Sequence, residues 1–192
     1  MKAHHETDAV LPRYARAVIR AALGGPPAVR PRGAGFERHA AAFVTLRWPD
    51  GSLQGCIGTI EPRGSLVDAV ADGARSAAFH DPRGRRLRLA DADELFVEVS
   101  VLSPLSRVEF TDEASARAAL RPGEDGVVLR CHGRQGTFLP QMWPRLGDSA
   151  TFLDELKRKA GFSQRFWSPD IELLRYTVEA YTDGREPPPE ID

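Results

Sequence analysis

The residues with the clearest capacity for chemistry are a cysteine and its flanking glycines, in the segment LQGCIGT at residues 53–59. A cysteine thiolate is a strong nucleophile. Glycines weaken a strand, so Gly55 and Gly58 indicate the close approach of a backbone or ligand, or a bulge that re-aims a neighbouring side chain. The pattern fits two interpretations, a small buried cysteine whose glycines fit tight packing, and a functional Cys56.

A second group of candidates, His80, Asp81 and Arg83, follows an alanine-rich helical segment. A histidine can act as a base, an aspartate can orient it, and an arginine can hold an anion. Paired with Cys56, His80 would produce an activated thiolate. The alternative is a solvated helix terminus, with His80 at the negative end of the helix dipole.

Four further side chains are candidates for lining a binding cleft. Trp143 could stack on a ligand and Gln141 could form paired hydrogen bonds, although a strand-to-loop corner with a core tryptophan fits the same residues. Glu98 lies on the polar side of an apolar strand, where it either faces solvent or reaches into a cleft. Lys159 lies at a helix end, where a cation is favourable without any function.

Several classes of function lack support in the sequence. The formal net charge is −1, so no overall field attracts nucleic acid, although four arginines cluster within residues 83–88. Two distant cysteines and scattered histidines predict no metal site, and no dinucleotide, P-loop, zincin or nucleophile-elbow motif predicts a cofactor. No apolar run approaches the roughly 20 residues that span a bilayer and no signal-peptide form occurs, so we expect a cytoplasmic protein.

Hydrophobic periodicity predicts an α+β fold with antiparallel strands. Helices are expected over residues 8–23, 65–81, 112–120 and 148–160, and strands over residues 41–48, 53–60, 95–101, 126–131, 137–139 and 174–178. The turn signal at residues 49–52 joins the first two strands into a hairpin. Thr7 or Asp8 is expected to cap the first helix, and Ser65 with Asp68 resembles a capping box. One domain is expected over residues 8–182, followed by a disordered tail at residues 183–192.

Alternation along the motif strand assigns its side chains to two faces. Leu53 and Ile57 would anchor the core side. Cys56 would stand on the opposite face, between Gln54 and Gly58. This assignment predicts that position 54 and the thiol share one surface.

Taken together, these segments resemble one family, the AMMECR domain, also called AmmeMemoRadiSam system protein A. Its signature resembles Leu-Arg-Gly-Cys-Ile-Gly-Thr, and further matching blocks follow in order at residues 77–83, 99–104, 122–126, 137–143, 152–161, 167–170 and 175–179. Two departures matter: Gln54 replaces the family's arginine, and Gly84 replaces an aromatic residue. The first departure weakens an anion-binding role at position 54, since an amide carries no charge.

The resemblance implies an antiparallel β-sheet flanked by helices, with a smaller lobe and an intervening cleft near the motif strand. It also implies an association with a Memo-like protein and a radical-SAM protein. Two functions are open: an enzyme component that binds a small molecule or peptide around Cys56, and a non-catalytic adaptor for those partners. Nucleic-acid binding through the arginine cluster is the third and weakest hypothesis. The candidate catalytic residues are Cys56, His80 and Asp81, and the candidate ligand-binding residues are Gln54, Gly55, Gly58, Thr59, Arg83, Glu98, Gln141, Trp143 and Lys159.

Overall fold

The structure is a computed structural model that describes residues 9–185 of the 192-residue chain. Within this range no helix is both long enough and apolar enough to cross a bilayer. The chain forms two compact units. The first runs to Leu102 and resumes at Glu179, and the second spans Ser103–Val178.

The first unit contains a four-stranded sheet and four helices. The strands are β1 (Ala42–Arg47), β2 (Leu53–Gly58), β3 (Phe96–Leu102) and β8 (Val178–Thr182), and the helices are α1 (Val10–Ala22), α2 (Ala34–Glu37), α3 (Leu66–Phe79) and α4 (Asp91–Glu94). The strand order is β2-β1-β3-β8, and β1 pairs antiparallel with both β2 and β3. The motif strand β2 therefore lies at an edge of the sheet.

Alternate side chains of the central strands form one wall of the core in this unit. Val44, Val97 and Val99 are fully buried, and Val70 of α3 is buried with them. Helix α3 packs on β1 and β2, and α1 packs on α3 and β3. Gly73 allows this close packing, because a Cβ there would lie 3.0 Å from Val44 Cγ2. The helices thus cover one face of the sheet, and odd-numbered β1 residues point to the other.

The second unit has its own four-stranded sheet, of order β4-β7-β5-β6. Its elements are β4 (Ser106–Arg107), α5 (Glu113–Ala119), β5 (Gly126–Cys131), β6 (Arg134–Phe138), a 3-10 helix (Pro140–Met142), α6 (Trp143–Leu146), α7 (Ser149–Lys159) and β7 (Glu172–Tyr176). All three strand pairs are antiparallel. Phe152, Leu156 and Leu129 are fully buried in its separate core.

The predicted α+β class is confirmed, since both sheets contain antiparallel pairs and helices flank them. The predicted hairpin is β1–β2. Ser65 caps α3 as predicted, because its Oγ accepts a hydrogen bond from Asp68 N–H at 3.3 Å. The caps predicted for α1, at residues 7 and 8, lie outside the described residues.

The end of the chain differs from its prediction. The sequence predicts one strand over residues 174–178, whereas the structure has two strands, β7 and β8, in different sheets. Thr177 lies between them and exchanges two hydrogen bonds with Ser103, at 2.9 Å and 3.0 Å. These bonds occupy the backbone groups that would continue β7. Beyond β8, Asp183 pairs with Arg16, and residues 186–192 lie outside the described range, so the disordered tail stays a prediction.

Candidate functional site

Cys56 lies in a row of polar side chains on the face of the first sheet that is opposite the helices. Thr45 is directly opposite Cys56 in the β1–β2 pairing and directly opposite Glu98 in the β1–β3 pairing. Such pairs have Cβ atoms about 5 Å apart, so the three half-buried residues form a continuous row. Thr45 Oγ1 donates to Cys56 Sγ at 3.3 Å, and Ser100 Oγ donates to Glu98 Oε1 at 3.2 Å.

The backbone of Cys56 is fixed by Asp81. The Cys56 N–H donates to Asp81 Oδ2 at 3.0 Å. Arg83 holds the same carboxylate through its backbone N–H at 3.0 Å, its Nε at 2.9 Å and its Nη2 at 2.7 Å. The Arg83 side chain, more than the other bonds, holds the pKa of Asp81 well below its usual range, so the carboxylate is charged at neutral pH. In turn the hydrogen bonds to Asp81 raise the pKa of Arg83.

Gln54 does not share a face with Cys56, contrary to the predicted alternation. Leu46 pairs with Gly55 but Arg47 pairs with Leu53, so the register shifts and Gln54 is the extra residue of a β-bulge. The bulge turns the Gln54 side chain toward the C-terminal end of α3. This outcome matches one of the two explanations that the glycine-rich motif suggests, a bulge that re-aims a neighbouring side chain.

The Gln54 amide is saturated inside the protein. The residue is 1% exposed. Its Oε1 accepts from Trp48 Nε1 at 3.0 Å and from Arg85 N–H at 3.2 Å, while its Nε2 donates to the carbonyls of Ala78 at 3.2 Å and Arg85 at 2.8 Å. Gln54 therefore ties three segments together, and its role in ligand binding stays a prediction.

Both motif glycines accommodate a close backbone. A Cβ on Gly55 would lie 2.1 Å from Ala77 O, at the end of α3. A Cβ on Gly58 would lie 2.1 Å from Ala42 O and 2.7 Å from Phe43 Cγ. Packing alone accounts for glycine at both positions, and their roles in ligand binding stay predictions.

His80 does not join Cys56 and Asp81 in a relay. It is the exposed C-cap of α3, and its N–H donates to Ser76 O at 2.9 Å. Within residues 9–185 its imidazole has no hydrogen bond to Cys56 or Asp81, and the Asp81 carboxylate is occupied by Cys56 and Arg83. Nor do three His, Cys, Asp or Glu side chains group as a metal site within that range. The catalytic roles of His80 and Asp81 stay predictions.

Gly58 and Thr59 line a surface pocket of about 340 Å³ at the C-terminal end of β2. One flank of α3 contributes Asp68 and Asp72, and the connecting loop contributes Arg63. The pocket belongs to the first unit and lies beside the motif strand. It is separate from the polar row, which is formed by side chains on the face of the sheet opposite the helices.

The other three predicted site residues belong to the second unit. Trp143 is 3% exposed, stacks on Phe152 at 3.9 Å and donates its indole N–H to Asp125 O at 2.7 Å, so it is the core tryptophan of the alternative interpretation. Gln141 is exposed in the 3-10 helix. Lys159 is exposed at the end of α7, with its Nζ 4.7 Å from the centroid of the Phe138 ring.

The arginine cluster is largely occupied by neighbouring residues. Arg83 binds Asp81, and Arg88 binds Asp91. Arg85 stacks over the Trp48 ring, with its Cζ 4.0 Å from the ring centroid. Positive charge that is already paired offers less attraction to phosphate groups, so these contacts give nucleic-acid binding no support.

The sequence did not predict the roles of two residues at the site. Thr45 is an ordinary strand residue, and its hydrogen bond to Cys56 depends on the hairpin register. A signal existed in the four-residue turn at 49–52, because the turn length limits the register of the two strands. The sequence predicts Arg85 only as a member of the arginine cluster, since its contacts with Gln54 join residues 31 positions apart.

Comparisons with known proteins agree with this fold. The AMMECR1 family model matches residues 12–181. A protein of Methanopyrus kandleri is 38% identical over 150 residues, covering 76% of this chain and 72% of that protein, and one of Methanosarcina mazei is 30% identical over 186 residues, covering 93% and 92%. The crystal structure of an uncharacterized protein, PH0010 from Pyrococcus horikoshii, matches with a TM-score of 0.83 and 31% identity, covering 94% of this chain and 95% of that one.

Proposed function

This chain belongs to the AMMECR1 family, and we propose that it is a binding protein whose site is centred on the Cys56 thiol. The supporting observation is that one half-buried cysteine is fixed at three points. Asp81 holds its amide, Thr45 donates to its sulfur, and the Gln54 bulge anchors its strand. A thiol that is both accessible and held in place offers a defined contact to a small molecule or a peptide.

The surroundings of Cys56 favour ligand contact over nucleophilic catalysis. A nucleophilic thiol is activated by a base within hydrogen-bond reach or by nearby positive charge. Asp81 is a poor base because Arg83 holds its pKa well below the usual range. His80 makes no hydrogen bond to Cys56 within the described residues. The Arg83 guanidinium is already paired with the Asp81 carboxylate. We therefore assign Cys56 to ligand contact.

The proposal includes the partners that the family resemblance implies. The chain would deliver its bound ligand to, or hold it for, a Memo-like protein and a radical-SAM protein of the same system. The resemblance is the support for this part. Co-purification of the tagged chain with each partner, alone and together, tests it, and the absence of any complex would contradict it.

A disulfide-capture screen tests the Cys56 site on the intact protein. The protein is equilibrated with a library of small disulfide fragments under mildly reducing conditions, with cystamine as the featureless reference. Mass spectrometry with peptide mapping locates the adducts. Selected fragments are expected on Cys56 in preference to cystamine. Cys131 is the internal control, since it is 4% exposed and burial raises the pKa of its thiol, and we expect it to capture no fragment.

Two variants separate a shaped site from a merely exposed thiol. Thr45→Val removes the hydroxyl that donates to sulfur at nearly constant volume, and Arg83→Gln removes the guanidinium that holds Asp81. Both are expected to reduce capture of the selected fragments more than capture of cystamine. If the ranking of fragments on Cys56 is the same in native and urea-unfolded protein, the site has no shape of its own and the proposal fails.

A further inference from the structure

The outer edge of β2 carries backbone groups that β1 does not use. Hydrogen-bonding direction alternates along a strand. Thr59 N–H donates inward to Ala42 O of β1 at 3.2 Å, whereas Cys56 N–H points outward to Asp81. By this alternation the N–H and C=O of Gly58 point outward. Apart from the pairing of β2 with β1, neither group has a hydrogen-bond partner in the part of the chain that the structure describes.

The two halves of this edge differ in access. The first half is closed by the segment that follows α3: Asp81 takes the Cys56 amide, and a Cβ on Gly84 would lie 2.3 Å from Gln54 O. The second half opens on the pocket of about 340 Å³. An edge with free backbone groups can accept a further strand from a partner.

The charges around the pocket indicate which kind of strand would bind. Asp68 is paired with Arg30, and Asp72 is paired with Arg75 at 3.1 Å. Both carboxylates are therefore compensated by neighbours. Arg63 is exposed and has no ion pair with any residue that the structure describes. An acidic group can thus approach Arg63 without displacing an existing partner.

We propose that the free half of the β2 edge binds an extended segment of a partner protein that carries an acidic side chain. The segment's backbone pairs with the N–H and C=O of Gly58, and its carboxylate accepts hydrogen bonds from the Arg63 guanidinium. The pairing fixes the segment beside the pocket, and the charge selects its sequence. This site does not depend on the Cys56 thiol. That side chain lies on the face of the sheet opposite the helices, whereas the edge binds through backbone groups.

Blocked peptides test this proposal on the full chain. The probe is an acetylated and amidated hexapeptide of alternating valine and threonine with one central glutamate. Its titration is expected to move the amide resonance of Gly58 in ¹⁵N-resolved spectra, with a Kd of about 0.1–1 mM, the weak range suited to so few contacts. The glutamine counterpart is expected to bind about tenfold more weakly, because it cannot form the charge-assisted contact.

Two comparisons separate strand addition from a simple ionic contact. Arg63→Gln is expected to weaken binding of the glutamate peptide by about tenfold. Arg86→Gln is the control, because Arg86 is also exposed and has no ion pair to a described residue, and it is expected to leave binding unchanged. N-methylation of the backbone amide beside the glutamate is expected to abolish binding, because that amide can no longer donate to Gly58. The proposal is wrong if the methylated peptide binds as tightly as the unmethylated one. It is also wrong if Arg63→Gln binds the glutamate peptide as tightly as the unsubstituted protein does. A Gly58 shift that follows protein concentration alone would overturn it too, because a second copy would then occupy the edge.

Discussion

Asp81→Asn removes the charge that fixes the Cys56 backbone while keeping the size of the side chain. The Asp81 side chain is 2% exposed and accepts four hydrogen bonds, one from Cys56 and three from Arg83. An amide has one acceptor oxygen instead of two. Its NH₂ must face either the Cys56 N–H and Arg83 Nη2, which donate to Oδ2, or the Arg83 backbone N–H and Nε, which donate to Oδ1. A donor then faces a donor.

The cost of this change follows from the exposure of the partners. A hydrogen bond to a charged group contributes about 1.5–3 kcal/mol, and an exposed ion pair about 0–1 kcal/mol. The contact with Cys56 is sheltered, whereas the Arg83 side chain is 58% exposed and its share is screened by water. We therefore expect a loss of about 2–3 kcal/mol in the free energy of unfolding at neutral pH.

The loss depends on pH in a defined direction. Because the folded-state pKa of Asp81 lies below the unfolded value of about 3.9, its stabilisation is present above that value and disappears as the pH falls through the folded-state pKa. The difference between the two proteins should thus be largest near pH 7 and should shrink on acidification below about pH 4.

Urea unfolding at several pH values measures the difference, with Asp72→Asn as the control. Asp72 is an exposed aspartate on α3 whose ion pair is with Arg75, and its replacement is expected to change stability little. The Cys56 amide resonance should also move upfield in Asp81→Asn. A loss below about 0.5 kcal/mol at pH 7, or a loss that stays constant as the pH falls, would refute the account of Asp81.

Three other substitutions probe neighbouring parts of the structure. Gly55→Ala places a Cβ 2.1 Å from Ala77 O, and calorimetry should show a loss of about 1–3 kcal/mol. Gln54→Met leaves two donors and two acceptors of the protein unpaired. Urea unfolding should therefore show a loss of about 2–4 kcal/mol in the free energy of unfolding. The control, Gln135→Met at an exposed position, should change stability little. Burial raises the pKa of Tyr176 to about 12. Its hydroxyl ionises near pH 10 in the unfolded chain, so stability should fall from about pH 10 to about pH 12, and Tyr176→Phe should flatten this fall in unfolding titrations.

Local patterns predicted the elements around the site well. The hairpin, the Ser65 cap of α3 and the period-2 strand at residues 95–101 each depend on neighbouring residues in the chain, and each is present. The two strands at the end of the chain were predicted as one, because the break at Thr177 depends on a contact with distant Ser103.

The arrangement of the site was predicted less well, because its geometry depends on long-range contacts. Alternation placed Gln54 beside Cys56, and the bulge moved it to the α3 side. Adjacency in the sequence suggested that Asp81 would orient His80, whereas the folded chain gives the carboxylate to Cys56 and Arg83.

The sequence by itself determined that Cys56 lies on the return strand of a hairpin between two glycines, and that the chain resembles the AMMECR family. Those features arise from local periodicity, turn residues and ordered motifs. The tertiary structure alone decided which groups meet the thiol. Thr45 reaches the sulfur through strand register, and Asp81 reaches the amide from 25 positions along the chain. Packing of α3 against β2 brings these groups together, and no local pattern encodes that packing.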